Sequence, residues 1–326
     1  MPDAARPLAT RPRLIFVDGL PGSGKSTTAQ RLCFHLQRLG RPARWYFEHE
    51  QGHPIFDDEQ VRRARATGPA EPNGIRARAL AGYAALAARL ADETAPTVIL
   101  ESTLFQTAVG TQLLMDLPAA EIERHFQRTM ELLAPVAPAL IVFRPPDVAA
   151  ALRRAAEKRG AWFPEFLVAH LGDTPRGRRT RLADFAGVIA FFEDYRAQCD
   201  ALFARFAGPR LAVDNSAGDW PRHTRDLTDF LGLPPMAGPP VPAGLAELAG
   251  RYRAADGDEW NVAADAHGLF FDDAARGRIV PRPGGGFAIE GVCIELDFER
   301  DAAGRVRRIR CAGALPGLAT EWEKTL

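Results

Sequence analysis

One short segment constrains the fold of this chain more than any other feature. The segment Gly19–Thr27 reads GLPGSGKST and matches the pattern GxxxxGK[ST]. It directly follows a short apolar run, Leu14–Asp18, which predicts a buried strand. A helical pattern starts within the segment and continues to about Leu39, just before Gly40. A strand, a glycine-rich turn and a helix in this order predict an α/β protein whose turn directs backbone N–H groups toward an anion.

The side chains of this segment predict which anion it binds. In this motif the lysine, here Lys25, reaches the β- and γ-phosphates of a nucleoside triphosphate, and the hydroxyl of Ser26 binds Mg²⁺. Lysine occurs only at Lys25, Lys158 and Lys324, which indicates that position 25 needs a compact ammonium group. The predicted nucleotide-binding residues are Gly19, Pro21, Gly22, Ser23, Gly24, Lys25, Ser26 and Thr27.

Strands alternate with helices along the first two thirds of the chain, which predicts a parallel sheet covered on both faces. After Leu14–Asp18, the predicted strands are Arg44–Phe47, Thr97–Leu100, Ala139–Phe143 and Arg210–Val213. The predicted helices are Asp57–Ala66, Ile75–Asp92, segments up to about Leu133, a helix from Asp147 to about Arg159, Leu182–Phe206 and Asp219–Leu231, with a basic loop at Asp173–Arg181. This order predicts a five-stranded parallel sheet flanked by helices.

The pattern changes after a proline- and glycine-rich segment, Gly232–Gly244, which predicts a linker. From about Arg251, short apolar alternations are separated by turn signals, and Ile289–Phe298 has a period of two. These features predict a small antiparallel β domain, with a helical pattern only in the last few residues. The predicted divisions are a flexible N-terminus at 1–12, a nucleotide-binding α/β domain at 13–233, a linker at 234–246 and a β-rich accessory domain at 247–326.

Composition excludes several classes of partner. The chain has 41 lysine and arginine residues and 41 aspartate and glutamate residues, so its formal net charge is zero. We therefore expect neither nucleic acid nor a membrane as a partner. The N-terminus lacks the apolar core of a secretory signal, and no stretch is apolar over the roughly 18 residues of a membrane span. The cysteines lack metal-site spacing, so a cytoplasmic protein with reduced thiols is expected.

Two stretches carry a family resemblance. Phe16–Thr28 (FVDGLPGSGKSTT) and Val98–Ser102 (VILES) resemble the first strand with its loop and the end of the third strand in P-loop kinases of the nucleoside monophosphate kinase group. That group includes thymidylate, adenylate and deoxynucleoside kinases. The resemblance implies ATP as the phosphoryl donor, with GTP left open, Mg²⁺ as the metal, and a lid that closes over the phosphates. It also implies that Glu101 holds a magnesium-bound water.

The sequence departs from that family directly after Glu101. An Asp-Arg-Tyr or Glu-Arg-Ser signature is usual there, but Ser102 and Thr103 follow Glu101, so the arginine is missing. The identity of the acceptor is therefore left open. We expect the acceptor between the helices of Asp57–Asp92 and those of Thr103–Leu133. The aromatic candidates there are individually more typical of a core than of a site: Phe47, Phe56, Tyr83 and Phe105.

Three acidic residues are candidates for the general base that receives the proton of the acceptor. All three follow predicted strands, and ligands bind outside the carboxyl ends of the strands in open α/β sheets. Glu48 resembles the glutamate that acts as the base in deoxynucleoside kinases, and we favour it over Glu50 and Asp18. His49 and His53 are expected to be polar loop residues rather than metal ligands.

Basic residues after the fourth predicted strand resemble the lid of that family. Phosphoryl transfer spreads negative charge over the equatorial oxygens, and arginines on a mobile segment stabilise that charge. We favour Arg154 and Arg159 as catalytic arginines. The loop Val213–Ser216 lines the base in the resembled kinases, but it contains no clear base-reading residue here. The remaining lid candidates are Arg153, Lys158, Arg176, Arg178, Arg179 and Arg181.

The C-terminal region resembles the lipocalin-like module that follows serine hydrolases of the β-lactamase-related group. The residues that carry the resemblance are Gly250–Tyr252, Gly268–Phe271, Ile279–Pro281 and Phe298–Val306. The region contains no catalytic constellation. An accessory or interaction role is therefore predicted, with contact to the substrate as the alternative.

Together these patterns predict a small-molecule kinase that transfers a phosphoryl group from a nucleoside triphosphate to a small-molecule acceptor. The alternative is a P-loop NTPase that acts as a nucleotide-dependent switch through its β module. A switch should have threonine-bearing loops that sense the γ-phosphate, and the sequence does not identify any. A polynucleotide kinase is disfavoured by the zero net charge.

Overall fold

The computed structural model describes residues 12–67, 72–238, 241–272, 277–313 and 319–325. The predicted flexible N-terminus lies outside these residues except for its last position, and so does part of the predicted linker. The division of the chain into domains stays a prediction.

The first region is built on a five-stranded parallel sheet with the order β2-β3-β1-β4-β5. Strand β1 is central, with Leu14 paired to Val98 of β3 and Ile15 paired to Ala139 of β4. The predicted fold class is confirmed, and the strand bounds agree with the prediction within a residue or two. The strands are β1 Leu14–Gly19, β2 Ala43–Tyr46, β3 Thr97–Glu101, β4 Ala139–Phe143 and β5 Arg210–Val213.

The helices between these strands cover both faces of the sheet. They are α1 Lys25–Arg38, α2 Asp58–Thr67, α3 Pro72–Leu90, a π-helix Thr103–Val109, α4 Gly110–Leu114, α5 Ala119–Leu133, α6 Val148–Arg159, α7 Trp162–Gly172, α8 Pro175–Thr180, α9 Phe185–Ala204 and α10 Trp220–Phe230. The side chain of Asp147 accepts from the Ala150 amide at 2.8 Å, as predicted for the cap of α6.

The prediction of a basic loop at Asp173–Arg181 was wrong, because most of this segment forms α8. The Thr174 hydroxyl accepts from the amide of Gly177 at 3.1 Å, and Pro175 occupies the first turn, so the sequence contains a helix start that was overlooked. Helix α7, which follows α6 in the sequence and contains Trp162, Phe163 and Phe166, was also overlooked.

Strand β1 is buried on both faces because its side chains alternate between two cores. Leu14 and Phe16 belong to the larger core, which most of the helices share. Ile15 and Val17 belong to a smaller core that contains apolar side chains of α1 and α10. Burial on both faces explains the continuous apolar run of this strand. The carboxyl end of β1 then leads directly into Gly19–Thr27.

The second region is a closed barrel of eight antiparallel strands in which each strand pairs with its neighbours in sequence. The last strand closes the barrel because Trp322 pairs with Ala254 and Lys324 with Tyr252. The helical pattern predicted for the last few residues was therefore wrong, and Trp322 points into the barrel core. The strands are β6 Gly250–Ala254, β7 Glu259–Asp265, β8 Gly268–Phe271, β9 Arg278–Pro281, β10 Phe287–Ile289, β11 Ile294–Arg300, β12 Val306–Gly313 and β13 Glu321–Thr325.

The barrel core is formed by inward-facing side chains such as Tyr252, Leu296 and Ile309. The hydroxyl of Tyr252 donates to the Leu248 carbonyl at 2.6 Å, which satisfies its polar end. The resemblance to a lipocalin-like module stays a prediction. In the described part of the chain, no helix has the length and apolar character needed to cross a membrane.

Candidate functional site

The loop Gly19–Thr27 joins β1 to α1 in a conformation that depends on its glycines. Gly22 and Gly24 have φ angles of 75° and 90°, in the left-handed region that glycine adopts without strain. A Cβ atom at Gly22 would lie 2.7 Å from Ala155 of α6, and one at Gly24 would lie 2.5 Å from the indole of Trp220. The loop is therefore packed between α6 and the start of α10, and no larger residue fits at either glycine.

Lys25 is the first residue of α1 and is buried. Its Nζ donates to the Leu20 carbonyl at 2.9 Å, so the ammonium group lies inside the curve of the loop. Its positive charge opposes the rise that burial causes in the pKa values of Asp18 and Glu101, and it contributes to the lowered pKa of Glu48. The predicted loop lysine thus lies among three carboxyl groups at the carboxyl edge of the sheet.

Glu101, the last residue of β3, is fully buried. Neither of its carboxylate oxygens has a well-formed hydrogen bond among the described residues. Burial and the nearby charge of Glu48 raise the pKa of Glu101 to about 8, while Lys25 and Ser26 oppose the increase. A buried carboxyl group without a well-formed hydrogen bond is costly unless a ligand satisfies it. The position of Glu101 beside Ser26 fits a magnesium ion to which the protein would contribute one serine hydroxyl and one carboxylate.

The residues after Glu101 turn in an unusual way. Ser102 has a φ of 54°, a left-handed conformation that is uncommon for serine, and the π-helix Thr103–Val109 follows it. Asp18 accepts from the backbone amides of Phe105 and Gln106, at 2.9 Å each. These bonds hold the π-helix against the end of β1. Asp18 thus has a structural role, although burial still raises its pKa to about 6.

Glu48 lies at the mouth of a cavity beside the loop, about one fifth exposed. Gln106 of the π-helix donates to its carboxylate, and the His49 ring lies 3.4 Å from its other oxygen. Burial alone would raise the pKa of Glu48, but hydrogen bonding and charge from His49, with Lys25, lower it to about 2. Glu48 is therefore an ionised acceptor at neutral pH.

The other residues of the β2 loop point elsewhere. Glu50 pairs with Arg44 and accepts from the Phe47 amide at 3.2 Å. It lines a different cavity, next to the barrel, so the structure does not bring it to the loop. Despite burial, the carboxylates of Asp58 and Glu48 raise the pKa of His49 to about 10. No group of three or more metal-binding side chains occurs in the described ranges.

The cavity beside Glu48, which we call the Glu48 cavity, has a volume of about 390 Å³. Its wall includes Pro21 of the loop, Gln106 and Arg65. Most of its apolar lining comes from helices that the prediction did not assign to a site, namely Phe163, Phe166, Leu167, Leu171, Phe191, Phe192 and Tyr195. The predicted aromatic candidates do not line it, and three of them are core residues: Phe56, Tyr83 and Phe105.

The two favoured lid arginines have different surroundings. The guanidinium of Arg159 lies 4.6 Å from the ring centre of Phe163 and borders the Glu48 cavity. Arg154 lies nearer the β5 loop, where it helps to lower the pKa of Asp214 after the hydrogen bonds from Ser216. The basic residues of α8 form ion pairs with neighbouring acids, in the pairs Arg176–Asp194, Arg178–Asp173 and Arg179–Asp116.

A second cavity, which we call the Trp220 cavity, lies on the other side of the loop and has a volume of about 300 Å³. It is bordered by Gly22, Gly24 and Thr27, and by Lys158 at the end of α6. The remaining wall comes from α1, β4, α10, the segment after α10 and one barrel turn, through Thr28, Arg31, Phe143, Trp220, His223, Thr224, Leu227, Met236 and Glu290. The loop thus separates two cavities, and the sequence predicted neither the Trp220 wall nor the barrel contribution.

The strand order, with β1 central and its loop leading into α1, fits a P-loop fold. No protein-family model matches the sequence, and no curated protein matches it. A similar solved structure is the signal recognition particle receptor FtsY from Elizabethkingia anophelis in complex with GDP, at 16% identity and a TM-score of 0.24, over 52% of each chain. The chain thus spans about half the length of that protein, and so weak a likeness carries no argument.

Proposed function

We propose that this protein binds a nucleoside triphosphate with Mg²⁺ at Gly19–Thr27 and transfers the γ-phosphoryl group to a small molecule. The observation that carries the proposal is the position of the loop between two cavities. One contains an ionised glutamate, Glu48, and the other is bordered by Gly24 and Thr27. A kinase needs such an arrangement, because donor and acceptor must meet at the transferred phosphoryl group.

The donor side uses the loop and its neighbours. Backbone amides of the loop and the start of α1 would hold the phosphates, and Lys25 would neutralise their charge. Ser26 and Glu101 would hold the Mg²⁺ ion, which supplies charge neutralisation for the phosphates when it is bound. The lack of a well-formed hydrogen bond to the buried carboxylate of Glu101 supports this assignment.

The acceptor side uses Glu48. The hydroxyl oxygen of the acceptor forms a bond to the γ-phosphorus while the bond from that phosphorus to the bridging oxygen breaks, and a nucleoside diphosphate leaves. Glu48 accepts the hydrogen bond of the hydroxyl and takes its proton. Its low pKa makes it a weak base. That is sufficient where the transition state is loose and the nucleophile mainly needs orientation.

The cavity wall indicates the chemistry of the acceptor. The apolar and aromatic side chains fit a molecule with an apolar body. Arg65 donates to Thr111 at 3.1 Å and to His170 at 2.8 Å, and both of these partners are neutral groups. Burial lowers the pKa of His170, and the charge of Arg65 lowers it further, which keeps the imidazole neutral. Arg65 and Arg159 would therefore offer positive charge to an anionic group of the acceptor or to the transferred phosphoryl group.

A nucleotide-dependent switch is the second candidate. The observation that favours it is a direct contact between the barrel and α1, the helix that carries Lys25. A switch would hydrolyse the nucleotide slowly and release free phosphate, whereas a kinase would move the phosphoryl group to an organic acceptor.

Labelled ATP separates the two candidates. The purified protein is incubated with Mg²⁺, γ-labelled ATP and pooled small metabolites, and the products are separated by chromatography. We expect label in an organic product with the wild type and with Lys324→Ala, a lysine variant in the barrel, but not with Lys25→Ala. Label found only in free phosphate with every pool would contradict the kinase proposal and favour the switch.

A further inference from the structure

A buried amide side chain on α1 binds a turn of the barrel. Gln30 of α1 is 1% exposed. Its Nε2 donates to the carbonyls of Ile289 and Val292, at 2.8 and 3.2 Å, and its Oε1 accepts from the Gly291 amide at 2.8 Å. One side chain thus satisfies three backbone groups of the turn Ile289–Val292 between β10 and β11. Such a set of bonds fixes the turn on the helix.

An ion pair extends this contact into the Trp220 cavity. Arg31 of α1 lies 2.7 Å from the carboxylate of Glu290, whose side chain is only 11% exposed. Both residues line the Trp220 cavity, and both also line an adjoining cavity of about 330 Å³. The barrel therefore supplies a charged side chain to the space next to Gly24 and Thr27.

The turn also touches the loop itself. Gly291 has a φ of 76°, and a Cβ atom there would lie 3.0 Å from the Thr27 hydroxyl and 3.3 Å from the Thr27 amide. Thr27 is the last residue of the loop and borders the Trp220 cavity. The absence of a side chain at Gly291 thus allows the barrel backbone to approach the loop closely.

We infer that the barrel is part of the donor site: its turn Ile289–Val292 forms a wall of the pocket that takes the nucleoside portion of the nucleoside triphosphate. This inference rests on the proposed function. With the phosphates at the loop and the acceptor in the Glu48 cavity, the nucleoside occupies the Trp220 cavity. There Arg31 and Glu290 present donors and an acceptor to its ribose hydroxyls and base edge, and Trp220 presents an aromatic surface.

A pair of glycine variants tests the inference in the full-length protein. Gly291→Ala puts a methyl group against Thr27, whereas Gly304→Ala has a similar φ of 81° in another barrel turn with nothing within 4 Å. Both carry comparable backbone strain. We expect Gly291→Ala to weaken the binding of ATP with Mg²⁺ by about tenfold, as measured by titration calorimetry, and Gly304→Ala to change it by less than about twofold.

A second pair keeps the shape of the side chain. Glu290→Gln removes the charge that holds Arg31, and Glu299→Gln removes a barrel carboxylate that pairs with Arg308 away from α1. We expect Glu290→Gln to weaken ATP binding by about fivefold and Glu299→Gln to leave it unchanged. Thermal unfolding of all four variants identifies any loss of affinity that is due to misfolding.

The outcomes separate the inference from the function on which it rests. If Gly291→Ala and Glu290→Gln bind ATP as the wild type does while Lys25→Ala loses binding, the barrel is not part of the donor site. If Lys25→Ala also binds ATP normally, the proposed function is contradicted and the inference falls with it.

Discussion

The sheet region, β1 to α10, and the barrel, β6 to β13, differ in how completely their polar groups are satisfied. Around the loop, the buried side chains of Ser23, Glu101 and Ser102 have polar atoms without a hydrogen-bond partner. In the described part of the barrel, the Nε atom of Arg282 is such an atom, although other nitrogens of the same guanidinium form ion pairs, and the Nε atom of Arg308 lies 2.9 Å from the carboxylate of Glu299.

Backbone strain follows the same division. Every non-glycine residue with a positive φ among the described residues lies in the sheet region, and Ser102 next to Glu101 is one of them. Unsatisfied and strained groups cost stability and persist where a ligand or a reaction uses them. This difference supports our proposals that the sheet region carries the chemistry and that the barrel contributes to the donor site through one turn.

The largest expected effect is the loss of the loop lysine. Lys25→Ala should lower the rate of phosphoryl transfer by at least about 1,000-fold, because its charge is needed on the transferring group. The measurement is the rate of label transfer from γ-labelled ATP. If Lys25→Ala and the barrel variant Lys324→Ala lowered the rate of label transfer equally, the loop lysine would have no special role in phosphoryl transfer.

The next largest effect distinguishes Glu48 from Glu50, the two glutamates of the loop after β2. Glu48→Gln should lower kcat by about 100-fold to 1,000-fold with little change in the affinity for ATP, because it removes the acceptor of the proton. Glu50→Gln should retain most of the activity but lower the melting temperature, because Arg44 loses its partner. Steady-state kinetics and thermal unfolding of both variants check this. A greater loss of kcat with Glu50→Gln would move the base to Glu50.

Stability should depend on pH through the sheet region. Burial and the charge of Arg76 lower the pKa of His125 from its ordinary 6.5 to about 4. The folded state therefore favours the neutral ring, and this contribution is present above pH 6.5 and lost as the pH falls toward 4. His125 should account for up to about 3 kcal/mol of the free energy of unfolding over that range.

Denaturant unfolding at several pH values measures how the free energy of unfolding changes with pH. His125→Gln should flatten the curve between pH 6.5 and 4, whereas replacement of the exposed barrel residue His267 by glutamine should not. An unchanged slope in His125→Gln would assign the pH dependence to other groups.

The smallest expected effect is that of Glu101→Gln, which should increase the stability of the protein but weaken its binding of ATP. Glu101→Gln should raise the free energy of unfolding by about 1 kcal/mol, because a buried carboxyl group near the charge of Glu48 is replaced by a neutral amide. The same change should weaken magnesium-dependent ATP binding. The barrel variant Glu299→Gln weakens half-buried ion pairs with Arg308 and Arg310 and should lower stability by about 1 kcal/mol. Destabilisation by Glu101→Gln would show that this carboxylate already has partners in the protein.

The sequence predicted the parts of this molecule that depend on local patterns. The continuous apolar runs of β1 and β4 located the central strands, and GLPGSGKST located the loop. The closing strand of the barrel was missed because Glu321–Thr325 is mostly polar, and its single inward residue, Trp322, gives no alternation. Helix α8 was missed because its six residues are dominated by arginine, although Thr174-Pro175 is a helix-start signal.

The missed parts of the candidate site depend on contacts between distant residues. Gln30 and Gly291 are 261 positions apart, and no local pattern relates them. The available signal was Gln30 itself, a polar residue on the side of α1 that faces inward with Ala29 and Cys33. The aromatic wall of the Glu48 cavity was missed for a related reason: Phe163 and Phe192 have the same helical pattern whether they face a core or a cavity.

A crystal structure with Mg²⁺ and a non-hydrolysable ATP analogue would show where the phosphates, the metal and the nucleoside bind. We expect phosphates enclosed by Gly19–Thr27, the metal beside Ser26 and Glu101, and the nucleoside in the Trp220 cavity against Arg31 and Glu290, with the Glu48 cavity free for an acceptor. A nucleoside bound in the Glu48 cavity, or a loop that holds no phosphate, would contradict it.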